Sequence, residues 1–220
     1  MRQIATFDLN AARRYNAWYA TPTGRAVAGA EEALLGEMLA HLPDARTLLE
    51  VGCGTGHFAR SFAARGLRVA GLDASPAMLA IAREVGGGPD YVLGSAEHLP
   101  FPDRCFDVVA FITSLEFVAD PAAALREAGR VARRGLLLGV LNLASPLGVG
   151  RKAQALYRPS PYRAARFSTP WGLAKLIRRA LPGEFCSIRW RTTLWPSWVP
   201  QAARRLPCGG FIGMAVTRPA

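Results

Sequence analysis

Short apolar runs that stop at a glycine or an acid alternate along this chain with longer stretches whose apolar residues recur every third or fourth position. Residues 47–51 (TLLEV), 67–73 (LRVAGLD), 91–94 (YVLG), 106–112 (FDVVAFI) and 135–142 (GLLLGVLN) are short and nearly continuous in apolar character. That pattern predicts strands buried on both faces of a parallel sheet. Between the first two, HFARSFAARG sets Phe58 and Phe62 four apart and ends at Gly66, as a helix packed on the sheet would. Ser75-Pro76 and Asp120-Pro121 each pair an N-cap residue with proline at the first helical position, opening PAMLAIAREV and AAALREAGRVARR, the latter running to residue 134. After residue 143 the rhythm breaks. Residues 144–168 are rich in Pro, Gly and Arg and read as a loop, Thr169-Pro170 opens a helix (WGLAKLIRRA), and EFCSIRWRTTLW and FIGMAVTR read as an antiparallel strand pair. The expected fold is α/β: a doubly wound, Rossmann-like, mostly parallel sheet of seven strands, the last two antiparallel.

The first strand runs into LLEVGCGTGHF, which carries Gly52, Gly54 and Gly56 and sets Glu50 two residues ahead of them. A dinucleotide fingerprint needs G-x-G-x-x-G, and His57 stands where its third glycine belongs. Glu50 also argues against a pyrophosphate, because a carboxylate repels a phosphate but suits an ammonium or a sulfonium. Asp73, ending the second strand 17 residues after Gly56, is placed to accept from both hydroxyls of a ribose. S-adenosylmethionine carries both positive charges, a ribose and no phosphate.

With these residues in view, the chain resembles the class I S-adenosylmethionine-dependent methyltransferases, and within them the group acting on small molecules such as quinones and sterols. The likeness runs from about Leu48 to Arg134 through LLEVGCGTG, GLDASPAMLAIAR, GSAEHLPFPDRCFDVV and DPAAALREAGRVARRG. It implies that Glu50, Gly52, Cys53, Gly54, Thr55 and Gly56 line the methionine part of the cofactor. It also implies that Asp73 holds the ribose, with Ala74, Met78, Ser95, Ala96 and Glu97 around the adenine and Thr113 at the end of the fourth strand. Members of the group often have aspartate where this chain has Ser95, which weakens one adenine contact. The product would be S-adenosylhomocysteine. The resemblance divides a single domain into an N-terminal helical lid (1–45), a cofactor-binding core (46–142), an inserted cap (143–168) and a C-terminal helix with the strand pair (169–220).

Methyl transfer from a sulfonium is an in-line displacement, so holding two reacting centres collinear and dry can suffice without a protein nucleophile. His57 and Glu116 are the candidate general bases, His57 beside the glycine turn and Glu116 after the fourth strand. Each has a bland alternative: a helix N-terminal residue that touches the cofactor for His57, a solvated loop carboxylate for Glu116. Tyr15, Trp18 and Tyr19 form a stripe at helical spacing, read as part of a lid rather than core.

The net charge of +11 is unevenly spread, because residues 1–150 sum to −1 and residues 151–220 to +12. The basic last third has three readings: a solvated surface, a nucleic-acid contact, or a cap for an anionic or lipid-like substrate in which Arg158 and Arg163 take part. The nucleic-acid reading, which would make the enzyme RNA-directed, loses ground because FITSLEF lacks the Asp/Asn-Pro-Pro-aromatic turn that grips a flipped base. A non-catalytic cofactor-binding subunit is the other rival. The four cysteines show no metal-ligand spacing, so no metal is expected. The N-terminus lacks the apolar core of a signal peptide and no stretch reaches the roughly 20 apolar residues of a membrane helix. A cytoplasmic enzyme with a small-molecule substrate, without a membrane span but open to peripheral membrane contact, is therefore expected.

Overall fold

The computed structural model, which describes residues 8–157, 165–184, 187–195, 199 and 206–218, gathers the apolar runs into one seven-stranded sheet. β1 (Thr47–Val51), β2 (Arg68–Asp73), β3 (Asp90–Leu93), β4 (Phe106–Ile112) and β5 (Ala132–Leu141) are parallel, while β7 (Phe211–Thr217) lies antiparallel to both β5 and β6 (Ser187–Thr193). The order is β3-β2-β1-β4-β5-β7-β6. The chain builds outward from β1 to β3 and then returns to the other side of β1 with β4. Order therefore reverses between β1 and β4, and a crevice opens beyond their carboxyl ends.

Helices cover both faces. α5 (Pro121–Val131) and α7 (Pro170–Ala180) bring Leu125, Leu173 and Ile177 against Leu49, Val109, Phe111, Leu136 and Leu138. On the opposite face α2 (Pro22–Leu39) and α3 (His57–Ala64) bring Leu34, Leu35, Met38, Phe58 and Phe62 against Leu48, Val108, Leu137 and Phe211. α4 (Pro76–Val85) supports α1 (Leu9–Trp18) through Met78, Ile81 and Ala12. The expected caps form: Ser75 accepts from Met78 N, Asp120 from Ala122 N and Ala123 N, and Thr169 from Gly172 N. Among the described residues no helix is long and apolar enough to cross a membrane.

Three boundaries differ from expectation. α5 stops at Val131 rather than 134, because Ala132 already pairs with Phe106 in the ladder and Arg133 and Arg134 turn toward Asp107. The expected N-terminal lid includes α2, yet α2 is a layer of the fold, since β5 and β7 leave an apolar face that Leu34, Leu35 and Met38 cover. The stretch read as a loop after residue 143 contains α6 (Pro146–Tyr157), opened by Ser145, whose hydroxyl accepts from Gly148 N at 2.8 Å. Ser145-Pro146 is the same cap-and-proline signal that marks α4.

Asp107 ties the start of β4 to the start of β1. Its Oδ2 accepts from Arg46 N at 3.0 Å, Thr47 N at 3.1 Å and Thr47 Oγ1 at 3.0 Å, and Arg133 lies 3.4 Å from Oδ1. Burial alone would raise this carboxyl, but the hydrogen bonds from Arg46 and Thr47 outweigh it and hold the group below the usual aspartate range. Asp107→Ala should therefore cost about 2 kcal/mol in urea denaturation, since it removes a charged acceptor from two half-buried N–H groups and the Thr47 hydroxyl. The stabilisation is complete above the unfolded-state pKa and fades as pH falls through the lowered folded value, so the gap between wild type and variant should close in acid. A gap unchanged down to about pH 3 would show that the carboxylate charge contributes nothing.

Candidate functional site

The turn that follows β1 sits at the mouth of the crevice. Gly52, Gly54 and Gly56 have φ of +75°, +54° and +78°, a left-handed conformation that side chains resist. A Cβ at Gly52 would meet Ser114 Cβ at 2.4 Å and one at Gly56 would meet the Tyr91 hydroxyl at 2.2 Å, whereas one at Gly54 would find only Tyr15 Cε1 at 3.6 Å. The outer glycines thus allow close packing, and Gly54 is uncrowded, with only the Tyr15 ring at contact distance. Gly52 N and Cys53 N donate to Leu72 O at 2.6 and 3.0 Å, which pins the turn to β2.

Asp73 bridges the two strand ends, Oδ2 accepting from Gly54 N and Oδ1 from Ser75 N, both at 2.8 Å. Burial pushes this carboxyl up despite those bonds. Glu50 is 1% exposed; its carboxylate accepts from Ala59 N in the first turn of α3, while Oε2 is buried without a hydrogen-bond partner. Burial first and the charge of Asp73 second push its pKa well up. Thr55 Oγ1 is likewise buried with no partner. Cys53 is a buried free thiol whose pKa is driven far up by burial, so it is inert.

Residues 49–138 match the methyltransferase domain family. A SAM-dependent methyltransferase from Thermotoga maritima superposes with a TM-score of 0.77 at 27% identity, covering 96% of this chain and 97% of that one. Residues 49–138 thus carry a methyltransferase domain of the class I S-adenosylmethionine-dependent kind. Malonyl-[acyl-carrier protein] O-methyltransferase of Serratia marcescens is 39% identical over 114 residues, which is 52% of this chain and 44% of that protein. An uncharacterised Mycobacterium tuberculosis protein is 36% identical over 168 residues, 76% of this chain and 56% of that one. The chain thus spans about half the length of these curated relatives. S-adenosylmethionine is the cofactor of such domains, and the crevice fits it: the uncrowded face of Gly54, the partnerless oxygen of Glu50 and the twin oxygens of Asp73 lie around one turn.

Further out along the methyltransferase crevice, Ser95 Oγ donates to Glu97 Oε2 at 2.5 Å, and Glu97 Oε1 accepts from Asp120 N at 3.3 Å. Burial would raise the Glu97 carboxyl, but the Ser95 hydroxyl and the surrounding backbone N–H groups bring it below the usual range. A carboxylate thus stands two residues after the serine and is bonded to it. Ala96 is half-buried beside it, Ala74 is exposed, and Met78 is buried under α1 against Ala12 and Ile81.

α1 closes over the turn. Tyr15 keeps 37% of its surface open, yet desolvation of its hydroxyl pushes it up to about 12. Its hydroxyl bonds Tyr19 at 2.9 Å and also meets the Thr113 side chain. Thr113 itself has φ +48°, strained for a β-branched residue, and is held there by Thr113 N donating to Gly139 O at 2.7 Å. Tyr19 stacks on His57 at 3.8 Å with an interplanar angle of 7°, and Trp18 meets Tyr19 edge-on. His57 Nε2 stands 2.9 Å from Glu32 Oε1. Burial nevertheless lowers the His57 pKa, outweighing the carboxylate.

Glu116, expected on a solvated loop or in the site, is 3% exposed, inside a short 3₁₀ turn (Leu115–Phe117). Its Oε1 accepts from Leu141 N at 2.7 Å, and Oε2 is buried without a partner. Burial pushes its pKa up to about 7. Sequence reading missed Glu31 altogether: it lies 6% exposed on α2, pushed up to about 8 by burial, eased by Arg151 and raised again by Glu116 and Glu32. The only local signal is that an acid sits on the apolar face of a helix, four residues before Leu35. Arg158 and Arg163 lie outside the described residues. Arg166 is structural, since its guanidinium donates to Val118 O and Ala119 O while its backbone N donates to Glu116 O. Among the described residues no cluster of His, Cys, Asp and Glu could hold a metal ion.

The Tyr19–His57 stack makes a measurable claim. The His57 imidazole should titrate below the ordinary histidine value in NMR, and Tyr19→Leu, by uncovering the ring, should move the midpoint back up toward it. A midpoint that Tyr19→Leu leaves in place would mean that the tyrosine is not what desolvates His57.

Proposed function

We propose that this protein transfers the methyl group of S-adenosylmethionine to a small organic acceptor in the cytoplasm. The observation that carries the reading is the uncrowded face of Gly54, set between Asp73 and the partnerless oxygen of Glu50 and roofed by Tyr15. The names of its relatives point the same way, the Serratia protein being named for O-methylation of a malonyl group on acyl-carrier protein.

When bound, the cofactor supplies an electrophilic methyl on a sulfonium. The chain's part is to hold and shield. Asp73 accepts from the ribose hydroxyls with the lone pairs left over from Gly54 N and Ser75 N, and the Ser95–Glu97 pair accepts from the adenine amino group, with Ala74, Ala96 and Met78 forming the apolar bed around it. The turn from Gly52 to Gly56 brings bare backbone against the methionine part. Glu50 places a partnerless oxygen where an ammonium group can satisfy it. Tyr15, edge-on to Tyr19, covers the turn at Gly54, which excludes water and favours a nearby cation. Trp18 packs on Tyr19, and His57 is a positioning residue that holds the α1 roof through the stack.

Calorimetric titration with S-adenosylmethionine, S-adenosylhomocysteine and NAD should give binding by the two sulfur ligands and none by NAD. Asp73→Asn should weaken both sulfur ligands by roughly tenfold to a hundredfold, the worth of a charge-assisted hydrogen bond. Gly54→Val should abolish binding, because its side chain fills the one uncrowded face of the turn. Undiminished affinity in both variants would move the cofactor elsewhere.

A further inference from the structure

We propose that this protein carries a second binding site, for a polyphosphate chain, at the end of the sheet away from the crevice. A cavity of about 580 Å³ opens there, lined by Arg104, Arg126, Arg130, Arg133 and Arg218 against the acids Asp103 and Glu184. Arg104 stands two residues before β4, Arg133 is the second residue of β5, and Arg218 follows β7, which runs antiparallel to β5. These are the amino ends of the parallel strands, whereas the glycine turn follows the carboxyl end of β1. The site therefore stands or falls independently of what the crevice holds.

Two of the five arginines brace the wall and take up both of its acids. Arg130 directs Nε, Nη1 and Nη2 at Glu127, at Asp103 and at the carbonyls of Phe101 and Leu99. Arg218 donates to Glu184 at 2.8 Å and to Gly129 O. Arg133 reaches Arg104 O through Nε and Asp107 Oδ1 at 3.4 Å through Nη1, while its Nη2 makes no hydrogen bond among the described residues. The side chains of Arg104 and Arg126 make neither a hydrogen bond nor an ion pair among the described residues, and both are exposed.

The fold nevertheless holds both in place. The Arg104 backbone is gripped from two sides, N donating to Arg130 O at 2.9 Å and O accepting from Arg133 Nε at 3.2 Å. It takes φ +51° there, which residues other than glycine rarely adopt. Arg126 lies four residues before Arg130 on α5, a spacing at which like charges repel and weaken a helix. No contact of either guanidinium offsets these costs within the described residues.

The lining selects the ligand. A cavity of this volume holds a small molecule. Every residue around it is charged, and no aromatic or apolar side chain offers a base or a ring a surface to lie on. Guanidiniums present planar pairs of N–H donors that match phosphate oxygens, and adjacent phosphates bring several charges into one small volume. Asp103 and Glu184 stay neutralised by Arg130 and Arg218, so the lining keeps a positive balance as an anion enters. A single-stranded nucleic acid fits less well, because its grooves follow a backbone and carry aromatic side chains for the bases.

Tripolyphosphate, titrated by calorimetry into the full chain at low salt beside ATP and adenosine, tests the site. We expect one saturable site for tripolyphosphate, similar affinity for ATP, no contribution from adenosine, and weakening as salt is added. Arg104→Gln and Arg126→Gln, at exposed positions, should fold as the wild type does and each weaken tripolyphosphate about tenfold or more, the worth of a charge-assisted hydrogen bond. Arg14→Gln, which removes an exposed charge from α1, should leave it unchanged. Equal affinities assign the site to the phosphate chain itself; tighter ATP, with the excess lost in both cavity variants, assigns it to a nucleotide. No saturable binding, an equal loss in Arg14→Gln, affinity that survives both cavity substitutions, or an oligonucleotide that outbinds tripolyphosphate through the same arginines overturns the proposal. S-adenosylhomocysteine affinity should not change in the two cavity variants, and its absence from the wild type would count against the crevice reading alone.

Discussion

Everything in the crevice depends on a backbone that must run left-handed three times in five residues. Gly52 and Gly56 are wedged against Ser114 and Tyr91, so the turn has no room to relax outward. Leu72 O and the Asp73 carboxylate take its N–H groups, so it cannot relax inward either. The consequence is that Gly54 presents bare backbone at a fixed place, at the point where strand order reverses.

Around that point the molecule concentrates buried carboxyl groups. Glu50, Asp73, Glu31 and Glu116 all have their pKa values raised, with burial as the largest cause in each. A protein of net charge +11 thus takes four of its carboxyl groups largely out of water. Such an arrangement is expensive for an empty fold and economical for one that binds cations.

The arginines of this basic chain act largely as braces where their contacts are described. Arg130 joins Glu127, Asp103 and the carbonyls of Phe101 and Leu99, and Arg218 joins Glu184. Arg166 holds the carbonyls at 118 and 119, which steadies the turn that carries Glu116. Lys152 donates to Ala165 O and lies over the Phe167 ring, tying α6 back to the chain that follows it. The uneven charge of the sequence is therefore partly a record of how loops are fastened.

Local information sufficed for much of this. The length of each apolar run and the cap-and-proline pairs at Ser75, Asp120 and Thr169 determined strands and helices, because period and capping act within a few residues. Glu50, the spaced glycines and Asp73 determined the class of ligand, because they lie on one turn and on the adjacent strand end. The Ser145-Pro146 signal was equally local and was obscured by the Pro, Gly and Arg content around it. Tertiary structure alone decided that α2 is a layer of the fold, that His57 lies under Tyr19, and that Glu31 and Glu116 are buried. Those outcomes depend on which distant elements exclude water from a charge, and desolvation has no signature in a residue's own neighbourhood along the chain.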